Sequence, residues 1–439
     1  MSAIVVPQAF SPEQSSGIDG PEWLVQQRTE AADRFADAEL PTTDLEEWRY
    51  SRIDDVHLED YRLVYSAPTD DQSLVAGVSE IGDRLGRVSG RIVICDGIVM
   101  SVEIDDDLAA HGVRFGRIAD FETATNRSAI DVSDPFDDLN TAFSIDPIVL
   151  QVPRGVVIEH PFAILGSTVT PGGASFPRVI VEAGEDSQFQ LVEVWGSADI
   201  DALVVPRTSV DVGAAARVSY SSIQAHGSAI TQLGAFSATV GQAATLDAVH
   251  SAMGGGFARM RFDCVLAGRG ATGNLSALYF GKGDQMHDLR TFQTHEAPDT
   301  TSNLLFKGVL DDRARSVYTG LIRVGHEARG TNANQTNRNV KLSEEAWAES
   351  VPNLEIHQND VKCSHASAVG PIDADQRFYL ESRGVIPEVA ERLVVAGFFE
   401  EVIDELPIVA LAQSVREQVA EKLDTEATAG GTATSGAAS

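Results

Sequence analysis

Between Pro147 and Asp373 the chain is written in short Val/Ile/Leu runs broken by Gly, Ala, Asp and Asn, with almost no helical periodicity. The punctuation recurs. Turn-like clusters stand at Gly184 (VEAGED), Gly213 (VDVGAAA), Gly241 (ATVGQAA) and Gly268 (VLAGRGA), in steps of 29, 28 and 27 residues. Later clusters at Asp312 (VLDDRAR), Gly325 (VGHEA) and Ser343 (LSEEA) keep the character with less regular spacing. A helix-free repeat of this length buries its apolar face only by stacking on its neighbours. A β-sandwich also yields many short strands, but the steady turn texture favours a β-solenoid. The six-residue repeat of left-handed acyltransferase helices is not visible, so coils this long point to a right-handed parallel β-helix over 146–372.

The flanks differ in texture. Residues 1–145 read as a mostly helical region with one small hairpin. Gly20-Pro21-Glu22 opens a helix carrying Trp23, Leu24, Ala31 and Phe35, which ends before Pro41. RIVIC (91–95), Asp96-Gly97 and IVMSVEI (98–104) form the hairpin, and Phe136, Leu139 and Phe143 mark a short helix. After Asp373 the helical period returns. A helix from Pro387 to before Pro407 places Val389, Leu393, Ala396 and Ile403 on one face, and Leu411, Val415 and Val419 mark another. The helical region spans 373–423, and 424–439, rich in Gly, Ala, Ser and Thr, reads as a disordered tail.

Charge narrows the function classes. Against 33 Lys and Arg stand 65 Asp and Glu, a net charge of −32. Nucleic acid and acidic lipid both require cations at phosphate, so neither is an expected partner. Only five of the cations are Lys, and carboxylates run along the whole chain, a habit suited to a halophilic, salt-rich cytoplasm. Cys95, Cys264 and Cys363 are too scattered for a disulfide framework or a CxxC zinc site, which fits a reducing compartment. The N-terminus lacks a basic, apolar export pattern and no run is long enough to span a bilayer; a cytoplasmic, membrane-free protein is expected.

No P-loop, strand-linked GxGxxG, HExxH or GxSxG is present where its mechanism would require it. His287 and His295 are eight residues apart, so on one strand they would share a face and could form a metal pair; the alternative is structural. Cys264, in DCVLAG, reads as buried packing. The segment QNDVKCSHASAVGPID (358–373) carries more chemistry. Cys363 and His365 point the same way in an extended strand, and Lys362 is positioned to favour the thiolate electrostatically. A thiolate and an imidazole side by side suit iron or zinc, but two ligands do not complete a site. A Cys/His nucleophile pair is a second reading, and a small buried Cys beside a satisfied His is a third.

Two long stretches, HDLRTFQTHEAPDTTSNLLFKGVLDDRARSVYTGLIRV (287–324) and TNANQTNRNVKLSEEAWAESVPNLEIHQNDVKCSHASAVGPIDADQRFYLESRG (331–384), resemble the SufB/SufD family of iron–sulfur cluster assembly proteins. EEWRY (46–50) and VLQVPRGVVIEHP (149–161) support the match. KCSHASAVG resembles the SufD branch, and RNVKLSEEAWAESVPN lacks the upstream cysteine of the SufB branch. The resemblance implies a right-handed parallel β-helix and a complex with a SufB-like subunit and a SufC-like ATPase, the β-helix proteins pairing through their C-terminal coils. It also implies a transient iron–sulfur cluster shared across that interface, with ATP used only by the partner ATPase. His365 is the implied interface ligand and Cys363 a weaker one. The helical segment after Ser382-Arg383-Gly384 is the implied ATPase dock, or else a cap on the last coil. The expected role is a noncatalytic scaffold subunit. The alternatives are a β-solenoid enzyme acting on a carbohydrate or acyl substrate, and a purely structural partner of SufB; a homodimer also stays open.

Overall fold

The computed structural model describes residues 8–66, 74–121 and 134–424. Strands alternate between two sheets, so each coil contributes one strand to each and the chain climbs as a β-solenoid of about eight turns. The ladders between coils are parallel. Arg207 stacks on Arg178 and Ala235, and Arg217 on Gln188 and Thr245. In the two main ladders the step runs from 26 residues (Ala235 to Arg261) to 32 (Thr319 to Val351). The tail expected from 424 onward lies outside the described residues beyond Asp424 itself.

The corners explain the punctuation. Gly184, Gly213, Gly241 and Gly268 stack coil on coil, each donating its N–H to the coil before: Gly213 to Ala183 O and Gly241 to Val212 O, at 2.9 and 2.8 Å. A Cβ on Gly268 would lie 2.0 Å from Gln242 N, so the corner admits no side chain. Two residues further on, one residue per coil adopts a left-handed backbone: Asp186, Ala215, Ala243, Gly270 and Asp299, with φ of 57°, 59°, 53°, 72° and 60°. Each donates its N–H forward to the next coil, as Ala215 does to Gln242 O at 2.8 Å. The turn therefore ties coils in both directions.

Both outer sheet faces are covered. Helices Glu22–Asp37 and Pro135–Phe143 pack Ala31, Phe35, Phe136, Leu139 and Phe143 over one sheet, against Phe176, Leu203 and Phe257. Helices Ala76–Arg84, Pro387–Ile403 and Val409–Asp424 pack over the other, against Leu165, Val194, Leu278 and Val309. The stripe on Pro387–Ile403 differs from the expected one. Of the expected set Ile403 is buried, alongside Ala390, Val395, Phe399 and Val402, whereas Val389 and Leu393 are 38% and 51% exposed. The apolar residues of that helix are spread round it rather than gathered on one face, so several stripes are available and the sheet selects one. No helix among the described residues is long and apolar enough to cross a membrane.

The two ends of the solenoid are unlike. At the N-terminal end, the hairpin Gly90–Cys95/Ile98–Ile104 turns at Asp96 and Gly97 (φ 49° and 84°) and adds an antiparallel strand to one sheet. Strand Arg114–Arg117 does the same to the other. At the C-terminal end, strands Trp347–Ile356 and Lys362–Pro371 are the last in their sheets, each ten residues long and paired on one side only.

Candidate functional site

The last coil holds the motif that the sequence singled out. Lys362–Pro371 pairs in register with Asn332–Lys341, setting Cys363 on Ala333, His365 on Gln335 and Ser367 on Asn337. Ala333, Gln335 and Asn337 are buried and face the solenoid interior, so strand alternation turns Cys363, His365 and Ser367 to the same side. Among the described residues no further coil lies above them. His365 is exposed, and Cys363 is half-buried, packed like Leu354 and Val361 against the edge of the core. Ser367 donates to Ser350 Oγ at 2.7 Å or accepts from it, bridging the two strands across the open end.

The expected thiolate support from Lys362 is not present. Lys362 is the adjacent strand residue and turns to the opposite face, while partial burial pushes the Cys363 thiol up, offset in part by a hydrogen bond with the Ala333 backbone. Of the two side chains, His365 is the more accessible. Among the described residues no group of three or more His, Cys, Asp or Glu side chains could hold a metal. A metal bound at His365 would draw its remaining ligands from outside that set.

The pairing of His287 with His295 fails on distance. Both lie on Met286–His295 and face the interior, but eight strand residues separate them by about 26 Å. His295 is satisfied by Thr300 Oγ1 and Ser302 Oγ at 2.8 and 2.9 Å, and burial lowers His287 to about 3. Cys264 is fully buried, as expected. One pair was invisible in the sequence: His326 and His357, on successive coils, stack with ring centroids 5.1 Å apart, and His357 Nε2 meets Glu355 Oε1 at 2.8 Å. The only signal for it was a separation close to one coil.

The C-terminal helices do not cap the last coil. They fold back along the outer sheet face and leave its edge open, which sets aside the sealing role considered for them. Lys307 anchors them, its Nζ donating to Phe398 O at 2.8 Å and pairing with Glu401 at 2.5 Å. Between helix Ala374–Ser382, helix Pro387–Ile403 and the sheet lies an open groove of about 970 Å³ lined by Tyr379, Leu393, Phe398, Lys307 and Arg338. Phe378, Tyr379 and Ile386 are 71%, 58% and 60% exposed beside it.

EEWRY (46–50) has a structural task. Arg259 and Arg290 share the fully buried Asp288 at 2.7 and 2.5 Å, and each then donates to the motif's backbone: Arg259 to Glu47 O and Arg290 to Arg49 O, both at 3.0 Å. Trp48 lies against the Arg259 guanidinium, 3.6 Å from the ring centroid.

Comparison with known proteins gives a consistent picture. The family model described as SUF system FeS cluster assembly, SufBD core domain, matches residues 166–398. An iron–sulfur cluster assembly SufBD family protein of Mycobacterium leprae is 36% identical over 49% of this chain and 56% of its own length. The iron–sulfur cluster assembly protein SufD of Bacillus subtilis is 31% identical over 59% of this chain and 60% of its own. A SufBD family protein of Synechocystis is similar over 90% of both chains at 24% identity. The chain thus matches little more than half the length of the first of these relatives, and nearly all of the last.

Proposed function

Because the chain belongs to the SufBD family of iron–sulfur cluster assembly proteins, we propose that it is the SufD-like, noncatalytic scaffold subunit of a cytoplasmic assembly complex. Its partners are a SufB-like subunit and a SufC-like ATPase. The nascent cluster is its cargo, held transiently between the two β-helices. ATP is hydrolysed on the ATPase alone.

The observation that carries this reading is the open last coil. Two ten-residue edge strands with unpaired backbone groups are an aggregation hazard unless a partner covers them. A second β-helix meeting them edge to edge would extend both sheets. His365 and Cys363 stand at that edge, where ligands from a partner can complete a set that two side chains cannot. His365 is the principal ligand and Cys363 the secondary one. The groove by Tyr379 and Leu393, with its exposed apolar rim, is the ATPase dock. The excess of carboxylates is an adaptation to a salt-rich cell interior.

The test is anaerobic co-expression with SufB- and SufC-like partners, measuring iron and acid-labile sulfide per purified complex. His365→Ala is expected to assemble normally and to lose most of both. Unchanged iron and sulfide would reduce the subunit to a support for its partner.

A further inference from the structure

One interior column can be followed through the whole solenoid by its register: Phe162, Leu191, Tyr220, Ala248, Leu275, Leu304, Gln335, His365. It is almost wholly apolar until the last two coils. There it becomes an amide and then an imidazole. Gln335 is 1% exposed, and neither Nε2 nor Oε1 has a hydrogen-bond partner. A buried orphan amide costs about 1–3 kcal/mol, so an apolar residue would serve the fold better at this position.

The neighbouring column shows what a purely structural polar residue looks like here. Asn337 donates to Tyr279 Oη and Phe306 O at 3.1 and 3.2 Å and accepts from Asn339 at 2.8 Å. Gln335 has no such network. Opposite it, a Cβ on Gly320 would lie 2.3 Å from Gln335 Nε2, so the room occupied by the amide exists only because residue 320 is glycine.

We propose that Gln335 is a further binding residue of the open end, donating its side-chain N–H to sulfur of the iron–sulfur cargo held at His365. The inference rests on the reading of His365 as the interface ligand. Sulfide and thiolate sulfurs accept N–H hydrogen bonds, and such bonds tune the reduction potential of a cluster. A neutral donor that stands one coil beneath the ligand answers an anionic cluster without adding a buried cation.

The test uses the co-expressed complex with Gln335→Met, which keeps the volume and removes the donor. The variant chain should melt no lower than the parent and should still co-purify with its partners. Acid-labile sulfide per complex should fall at least threefold, with the reduction potential of the remaining cluster shifted to lower values. A side chain that merely fills space would move neither quantity. If Gln335→Met keeps sulfide and potential while His365→Ala loses the cluster, this inference falls and the ligand reading stands. If both variants keep the cluster, both fall. Should Gln335→Met fail to pair, Gly320→Ala, whose Cβ displaces the amide, is read by the same two measurements with the same outcomes.

Discussion

A single corner position carries opposite demands at neighbouring residues. Gly268 must lack a Cβ because the preceding coil's backbone passes within contact distance, whereas Ala243 carries one despite its φ of 53°. Left-handed backbone costs an L-residue about 1–2 kcal/mol, and the forward hydrogen bond from Ala243 to Arg269 O at 2.9 Å helps to offset it. Gly268→Ala is therefore expected to destabilise by about 3 kcal/mol, the scale of a forced overpacking. Ala243→Gly should stay within about 1 kcal/mol of the parent, since relieved strain and added unfolded-state entropy oppose each other. Thermal melts of the two variants check the contrast; equal effects would mean that the corner glycines are not steric necessities.

At the level of elements, the N-terminal segment is held by the buried Arg259–Asp288–Arg290 cluster rather than by apolar contact alone. Burial by itself would raise the Asp288 carboxyl, but the two guanidinium groups outweigh it and hold it below the usual carboxylate range. Removing one member of a buried ion cluster leaves its partners uncompensated, at a cost of about 3–5 kcal/mol. Asp288→Asn should therefore loosen residues 46–50 from the sheet, read as faster proteolytic cleavage in that segment. Cleavage at the parental rate would show that Trp48 packing suffices. The elements themselves were largely readable. The hairpin at Asp96-Gly97, the helix from Pro135 and the helix after Pro21 are set by local turn and capping chemistry. The buried stripe of Pro387–Ile403 was not, because choosing among several apolar faces is a tertiary decision.

For the whole molecule, the interior makes stability pH-dependent. Burial lowers His226, His250 and His295 to about 4 and His287 to about 3. The unfolded chain protonates these rings near 6.5, well before the folded one does. Their contribution is thus full above pH 6.5 and lost as pH falls toward 4, each on the order of 2–3 kcal/mol. Glu193 has the opposite sign. Fully buried beside Trp195 and Thr208, its carboxyl is pushed up to about 7, so its contribution is full below about 4.5 and lost as pH rises to 7. Four rings outweigh one carboxyl, and the melting temperature should fall markedly between pH 6.5 and pH 4.5. A profile that is flat or rises over that interval would show that the buried rings do not govern acid unfolding.

What the sequence determined by itself was the coil. Its period follows from the stacked corner, a short-range steric pattern repeated often enough to be read, and the Cys363–His365 pair follows from strand alternation. Only the tertiary structure decided which residues meet across coils. It separated His287 from His295, brought His326 to His357, set Gln335 beneath His365, and left the last coil uncovered by folding the C-terminal helices along the sheet. Strand alternation assigns a face, but neighbours across a solenoid are chosen by register, and register accumulates from coil lengths that vary between 26 and 32 residues. No local segment contains that sum.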